Sequence, residues 1–177
     1  QQAMARRRDL VVDGAPASPA LVANLARAQA LLHRWWPLSY GLVEVTAATE
    51  EPPPPATTGA VVAFSGGVDS CHSTWCHARR IGPGPHLPLG AGLMVHGFDI
   101  EVDRERAFEY AAAGSARILH SIGLPLILMR TSVRDLPNVW PEVFGGATAA
   151  ALSVLSAGFS DGIIASGLSR VLPHGSH

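Results

Sequence analysis

One stretch of the chain reads Gly59-Ala-Val-Val-Ala-Phe-Ser-Gly-Gly-Val-Asp-Ser70 and passes from an apolar run into a serine- and glycine-rich turn. The apolar residues 60–64 predict a buried strand, and the residues from Val68 onward predict a helix. A tight loop before a helix N-terminus presents several backbone N–H groups, here with two serine hydroxyls, to one small concave space. The stretch therefore predicts an anion site, most naturally for a phosphate chain.

The composition is that of one ordinary domain, or of one domain with a small attachment. The chain has 177 residues, of which 47% are hydrophobic and 15% are charged, and this balance predicts a packed core. The formal charge of −1 gives no electrostatic argument for nucleic acid or for an anionic membrane. We find no apolar run near the roughly 18 residues of a membrane span and no signal peptide, so we expect a cytoplasmic protein.

All 13 basic residues are arginine, because the chain contains no lysine. This excludes Schiff-base chemistry, lysine nucleophiles and a Walker A phosphate loop, which requires Gly-Lys-Ser/Thr. Any cation placed on a phosphate must therefore be an arginine, a histidine or a bound metal.

The N-terminal residues predict a small α+β attachment over residues 1–50. Ser18 is a good helix N-cap, Pro19 suits the first helical position, and Pro37 stops the helix. An alternating segment, residues 41–46, predicts a half-buried strand. The helix carries one apolar stripe at helical spacing, formed by Leu21, Leu25, Ala28, Leu32 and Trp35. Two roles stay open for the attachment: a wall of the substrate pocket, or a homodimer contact through the Leu21–Trp35 face.

A proline-rich linker, residues 51–59, separates this attachment from the working domain, residues 60–177. In that domain, apolar segments predict strands at 60–64, 92–96, 126–130 and 162–166. Helices are predicted at 68–80, at 103–122 with Asp103 as N-cap and Gly123 as the stop, and at 147–157. The C-terminal end, Pro173-His-Gly-Ser-His177, predicts no element, so an incomplete domain and a tag-derived end both stand as alternatives.

Short apolar strands alternating with helices predict an α/β fold with a parallel, doubly wound, Rossmann-like sheet and helices on both faces. Ligands bind such sheets beyond the carboxyl ends of the strands. Asp161, before the fourth strand, is interpreted as a turn residue. The segments that follow the strands are Ser65-Gly66-Gly67, His96-Gly97-Phe98-Asp99, Arg130-Thr131-Ser132-Val133-Arg134 and Ser166-Gly167.

Ser65-Gly66-Gly67-Val68-Asp69-Ser70 resembles the SGGxDS loop of the PP-loop ATP pyrophosphatases. That superfamily includes synthetase domains for asparagine, GMP and NAD, tRNA thiolation enzymes, and amide- or thioamide-forming enzymes of natural products. The resemblance covers residues 59–167 and implies a HUP-type sheet that uses ATP and Mg2+. It also implies a shared half-reaction, in which a substrate oxygen is adenylated, pyrophosphate leaves, and a nucleophile then displaces AMP.

Within this resemblance, Asp69 is expected to hold Mg2+ against the phosphates, while the serines and the loop amides hold pyrophosphate. Adenine typically lies against the first two strand ends in this family. The expected ATP-binding residues are Ala63, Phe64, Ser65, Gly66, Gly67, Val68, Asp69, Ser70, Met94, Val95, His96 and Gly167.

Two arginines after the third strand, Arg130 and Arg134, are the candidate catalytic cations beside Asp69. The alternative is that they pair with surface carboxylates such as Asp135. His96 and Asp99 are candidates for binding substrate or Mg2+, with a structural cap at the strand end as the alternative. The sequence Leu168-Ser-Arg170 stands where the tRNA enzymes carry acidic residues, which argues against a tRNA-type second site.

The two cysteines, Cys71 and Cys76, lie five residues apart on the predicted helix. Their Cα atoms would be about 8.7 Å apart, and a disulfide tolerates about 7 Å, so no bridge is expected. His72 and Cys76 could share a zinc ion, but two further ligands are not evident, and helix packing is the preferred interpretation. If sulfur is transferred, a partner or free sulfide is the expected source.

The sequence thus predicts an AMP-forming enzyme that adenylates a carbonyl or carboxyl oxygen of a small-molecule or peptide-like acceptor. A nitrogen or sulfur nucleophile then attacks; because no glutaminase module is recognisable, nitrogen would come from free ammonia, an amine substrate or a donor partner. The alternatives are a tRNA-modifying enzyme of the same superfamily and a non-catalytic ATP-binding protein. Near-neutral charge and the absence of lysine argue against the tRNA enzyme.

Overall fold

The structure is a computed structural model that describes residues 1–52, 58–136 and 140–165. The backbone divides into two compact units, Gln1–Pro55 and Ala56–His177. Most of the predicted linker, residues 53–57, and the predicted Ser166-Gly167 loop lie outside the described residues.

The first unit is a small βαβ arrangement preceded by a short helix. Its elements are α1 (Gln2–Arg6), β1 (Leu10–Val12), α2 (Pro19–Trp35) and β2 (Val45–Ala47). The two strands pair in parallel, which requires a crossover such as α2. Ser18 caps α2 as predicted, because the Leu21 N–H donates to the Ser18 Oγ at 3.4 Å. The predicted strand at residues 41–46 is shorter and begins only at Val45.

Much of the apolar stripe of α2 is exposed. Leu21, Leu25 and Trp35 keep 45%, 37% and 61% of their surface accessible. The homodimer alternative for this face stays a prediction. No helix among the described residues has both the length and the apolar character needed to cross a bilayer.

The second unit contains a four-stranded parallel sheet. Its elements are β3 (Thr58–Ala63), α3 (Val68–Arg79), β4 (Leu89–His96), α4 (Glu105–His120), β5 (Leu126–Arg130), a 3-10 turn (Val133–Asp135), α5 (Trp140–Ser153) and β6 (Phe159–Ile164). The strand order is β5-β4-β3-β6, and every neighbouring pair is parallel. The chain therefore adds β4 and β5 on one side of β3 and then returns to place β6 on the other side.

Helices cover both faces of this sheet. In β4, Leu93 packs in a cluster with Ala151 and Leu152 of α5. The next residue, Met94, packs in a separate cluster with Phe108 and Ala112 of α4. Because successive strand side chains point to opposite faces, α4 and α5 lie on opposite sides. The α/β class and the parallel sheet flanked by helices are confirmed, and the arrangement is compatible with a Rossmann-like fold.

Several predicted bounds were wrong. Asp103 does not cap α4, since the helix begins at Glu105 with Arg104 at the N-cap, after a turn in which the Arg104 N–H donates to the Glu101 oxygen. Gly123 does end the helix region, at a positive φ of 77°. The helix α5 begins seven residues earlier than predicted, at Trp140 rather than at residue 147. Asp161 lies inside β6 and pairs with Ala60, so it is not a turn residue.

Candidate active site

A cavity of about 320 Å³ lies at the carboxyl edge of the sheet in the second unit. Its walls come from the ends of β3, β4 and β6, from the loops that follow β3 and β4, and from α4 and α5. The strand order reverses between β3 and β6, and such reversals open the crevice in which doubly wound sheets bind ligands. The lining residues that carry the argument are Ser65, Asp69, Ser70, Phe98, Asp99, Phe144 and Thr148.

Part of the loop after β3 and the first turn of α3 form one side of this cavity: Ser65, Asp69 and Ser70 line it, whereas Gly66, Gly67 and Val68 do not. Gly66 has a φ of +78°, a conformation that residues with a Cβ rarely adopt. A Cβ on Gly66 would also lie 2.7 Å from the Ser115 Oγ of α4. Gly67 is extended and serves as the N-cap of α3. The backbone turn therefore favours glycine at position 66, and a Cβ there would also displace the Ser115 hydroxyl.

Hydroxyl groups brace the loop from inside. The Ser70 Oγ donates to the Gly67 oxygen at 2.9 Å, and the Gly67 N–H donates to the Ser65 Oγ at 3.3 Å. The two serine oxygens lie 3.4 Å apart. One turn further on, the buried Thr74 hydroxyl donates to the Ser70 oxygen at 2.6 Å. These contacts hold the loop in one shape before any ligand arrives.

The N-terminus of α3 supplies free donors. Its first intrahelical bond is from the Cys71 N–H to the Gly67 oxygen at 3.0 Å. Within the described part of the chain, the N–H groups of Val68, Asp69 and Ser70 have no hydrogen-bond acceptor. The macrodipole adds partial positive charge at this helix end. The loop therefore presents oriented donors to an anion without further rearrangement.

Asp69 places a carboxylate beside these donors. The residue is exposed and lines the cavity, and its carboxylate makes no hydrogen bond or ion pair with any residue in the described ranges. A carboxylate next to a phosphate site is repulsive unless a cation lies between them, and oxygen ligands of this kind suit Mg2+. Residues 65–70 thus combine anion donors with one ligand for a cation.

The predicted nucleotide residues on the strand ends divide into two groups. Ala63, Phe64, Met94 and Val95 line the cavity, where an adenine ring was expected. His96 does not line it: the residue is 2% exposed, its ring stacks on Phe108 at 4.2 Å between centroids, and its Nε2 lies 2.9 Å from the Glu101 oxygen.

The structural alternative therefore describes His96 better than a substrate or nucleotide role does. Its side chain follows Met94 to the face covered by α4, because strand residues alternate between faces. Asp99, by contrast, is exposed and lines the cavity, as a ligand-binding role requires. Gly167, the last predicted nucleotide residue, lies outside the described residues.

Both candidate arginines are engaged outside the cavity. Arg130 pairs with Glu105 at 3.1 Å and donates to the Val102 oxygen at 3.0 Å. Arg134 donates to the Phe98 oxygen at 2.9 Å, and its guanidinium carbon lies 5.3 Å from the ring centre of Trp140. The carboxylate partner of Arg130 is Glu105, not Asp135. A catalytic role for either arginine stays a prediction that requires the side chain to leave these partners.

The cysteines are both free thiols. Cys71 directs its Sγ to the Gly66 oxygen at 3.6 Å, and the Cys76 Sγ lies 3.6 Å from the His72 Nε2. Across residues 1–52, 58–136 and 140–165 the structure contains no group of three or more potential metal-ligating side chains of this type. The zinc interpretation gains no support from these residues.

Sequence reasoning missed the contributions of the helices to the cavity. Ala111 of α4, and Phe144, Thr148 and Ala151 of α5, line it, although no motif marks them. The alanine-rich composition of α5 predicted a helix but not the sheet face that it covers. Only the return of the chain to β6 places this helix beside the loop after β3.

Comparisons of the chain with protein-family models, with curated proteins and with solved structures find no match. The functional interpretation therefore depends on the residues of the chain itself.

Proposed function

We propose that this protein cleaves ATP between the α and β phosphates and adenylates an oxygen of a small-molecule acceptor. The observation that carries the proposal is the loop at residues 65–70. Ser65, Asp69 and Ser70 line the cavity, and the amides of Val68 to Ser70 have no acceptor among the described residues. On this proposal the sheet is of the HUP type. A phosphate chain fits the donors, and the apolar strand ends beside them suit an adenine ring.

The roles of the chain's own groups follow from charge. Pyrophosphate is a polyanionic leaving group, so donors already oriented towards it lower the barrier without reorganisation. The amides of Val68, Asp69 and Ser70 supply such donors, and the bracing hydroxyls of Ser65 and Thr74 keep them in place. Asp69 would hold Mg2+, which when bound neutralises part of the phosphate charge.

The proposed reaction has two steps. A carbonyl or carboxyl oxygen of the acceptor attacks the α-phosphorus, the bond from that phosphorus to the bridging oxygen breaks, and pyrophosphate leaves with the electron pair. A nitrogen or sulfur nucleophile then attacks the activated carbon and displaces AMP. Free ammonia, an amine, sulfide or a donor partner would supply this nucleophile.

The direct test is the product of ATP turnover. The chain is incubated with ATP labelled at the α-phosphate, Mg2+, a panel of small carboxylic acids and amides, and ammonium or sulfide. We expect labelled AMP with an equal amount of pyrophosphate. Release of ADP and phosphate, or a rate that is the same for Asp69→Asn as for the unchanged chain, would contradict the proposal.

One observation favours a second candidate, a non-catalytic ATP-binding protein. No arginine or histidine among the described residues lines the cavity, so a cation for the developing charge must come from bound metal or from elsewhere. Binding alone needs only the loop. Titration with ATP, followed by product analysis after several hours, separates the two candidates: tight binding with intact ATP under every acceptor would support the second.

A further inference from the structure

The cavity has two walls of different chemistry, one on each face of the sheet. The wall on the side of α3 and α4 carries the polar loop residues Ser65, Asp69 and Ser70. The wall on the side of α5 is built from Leu93, Phe98, Phe144 and Ala151, and Thr148 is the polar side chain that the described part of α5 contributes. We call this second surface the α5 wall.

We propose that the α5 wall binds the apolar skeleton, aromatic or branched, of the molecule whose oxygen is adenylated. This inference rests on the proposed function and specifies its substrate class. The polar loop then holds the phosphates, and the acceptor approaches them from the opposite face of the sheet. On this proposal the acceptor carries no charge other than at its reacting group.

Contacts between aromatic rings hold the α5 wall in place. Phe98 and Phe144 meet edge to face with their centroids 6.1 Å apart. Both rings also contact Trp140, at 5.2 Å and 5.6 Å, and Arg134 fixes the backbone of Phe98 through its bond to the carbonyl oxygen. Aromatic contacts of this kind stabilise ring orientation beyond the burial of area. The wall therefore keeps its shape when the cavity is empty.

The charges near the cavity argue against an anionic skeleton. The two charged residues that line it, within the part of the chain that the structure describes, are Asp69 and Asp99. Arg134 is engaged with Phe98 and Trp140. A second carboxylate on the acceptor would be desolvated without a described cation to pair with, which is unfavourable. An apolar skeleton has no charge to desolvate in the same place, and burial of its apolar surface favours binding.

The hydroxyl of Thr148 narrows the class further. The Thr148 side chain is 4% exposed, and its Oγ1 already donates to the Phe144 oxygen at 2.9 Å. Its remaining capacity is that of an acceptor, so it suits an N–H or O–H of the acceptor molecule.

The test uses the full chain, the uncleavable analogue α,β-methylene-ATP with Mg2+, and three probes titrated by calorimetry. The probes are 3-phenylpropanoate, 3-phenylpropanamide and succinate. We expect both phenyl probes to bind at least about tenfold more tightly than succinate, the scale of a well-filled apolar subsite. Equal affinity of succinate and 3-phenylpropanoate would overturn the proposal.

Variants locate the binding on the α5 wall. Phe144→Ala is expected to weaken 3-phenylpropanoate about tenfold, and Ala151→Leu is expected to block it by filling the cavity. Thr148→Val should weaken 3-phenylpropanamide more than 3-phenylpropanoate. The matched control is Tyr110→Ala, an aromatic residue on α4 that is 82% exposed and should leave every affinity unchanged.

The outcomes separate this inference from the proposed function. If the analogue binds but the phenyl probes show no preference, or if neither Phe144→Ala nor Ala151→Leu changes their affinity, the α5 wall is not the acceptor site. If the phenyl probes bind through Phe144 while the nucleotide analogue fails to bind, the proposed function fails and the apolar subsite stands. If Phe144→Ala shows no thermal unfolding transition, the variant is not folded, and the test then depends on the affinity of Ala151→Leu for the phenyl probes.

Discussion

Two polar segments lie at the carboxyl edge of the same sheet, at the ends of β3 and β5, and they use their polar groups in opposite ways. The segment after β3 leaves the amides of Val68 to Ser70 and the Asp69 carboxylate without partners among the described residues. At the end of β5 both arginines contact protein partners, which are Glu105 and Val102 for Arg130 and Phe98 for Arg134. The first segment leaves polar groups available to a ligand, whereas the second uses its arginines for contacts within the fold.

The difference shows that position at the carboxyl edge does not by itself leave a polar group available to a ligand. Both segments carry the residue types expected of a phosphate site. A side chain that already has a satisfied partner must break that contact before it can bind ligand, which costs free energy. Unpaired groups at an open cavity have no such cost.

The largest expected effect tests the loop after β3 through its carboxylate. Asp69→Asn should reduce AMP formation by about a hundredfold or more, the scale of losing a group that stabilises transition-state charge. Thermal stability should change little, since Asp69 is exposed. The control is Asp103→Asn, which is exposed and does not line the cavity. Full activity of Asp69→Asn would show that this carboxylate has no role in AMP formation, which would contradict the contrast drawn between the ends of β3 and β5.

A second prediction concerns the shape of the same loop. Gly66→Ala should destabilise the protein by about 1–3 kcal/mol and abolish nucleotide binding, because of the positive φ and the contact with the Ser115 Oγ. Adding Ser115→Ala should restore part of the stability by removing the clash but not the strain. Chemical denaturation and calorimetric titration measure both quantities.

Gly114→Ala is the matched control for that pair. It lies in α4 beside Ser115, and a Cβ there would meet nothing within 4 Å. Because alanine is the better helix former, we expect a gain of about 0.5–1 kcal/mol. If Gly66→Ala does not lower the free energy of unfolding, as Gly114→Ala is expected not to, the loop is not held in the described shape.

The two arginines at the end of β5, Arg130 and Arg134, give a smaller expected effect. Arg134→Ala should lower stability by about 1–2 kcal/mol through the lost hydrogen bond and ring contact. Arg130→Ala should cost at most about 1 kcal/mol, since its ion pair is exposed. Because both arginines contact protein partners outside the cavity, neither change should alter the rate of AMP formation more than a few fold. A loss above about tenfold for Arg130→Ala at unchanged stability would instead assign it the catalytic role that its position suggested.

The smallest effect is expected from the cysteines. The double variant Cys71→Ala and Cys76→Ala should keep the rate of AMP formation within about twofold. Substitutions at half-buried or exposed positions usually have small effects on stability. If sulfur is transferred, its source is then outside the chain. Loss of turnover in the variant with sulfide present would assign a chemical role to one of the two thiols.

Much of the fold followed from local signals. The apolar segments and the Ser-Gly-Gly turn predicted β3, the start of α3 and all of β5, and Ser18 and Gly123 marked two helix ends correctly. These features depend on neighbours in sequence, where capping, left-handed glycine and strand periodicity act over a few residues. Bounds such as the start of α5 at Trp140 were missed because alanine content gives no sharp boundary.

The sequence by itself determined the chemistry of residues 65–70 and the α/β alternation, because both are written in residue types at short spacing. Only the tertiary structure decided the strand order that brings β6 beside β3 and α5 over the opposite face. It also decided that the His96 ring stacks on Phe108 and that Arg130 forms an ion pair with Glu105. Phe144 and Thr148 line the cavity for the same reason. The reason is physical: periodicity specifies that a face is buried, but not which distant element covers it, and a polar side chain takes its partner from whatever the fold places within reach.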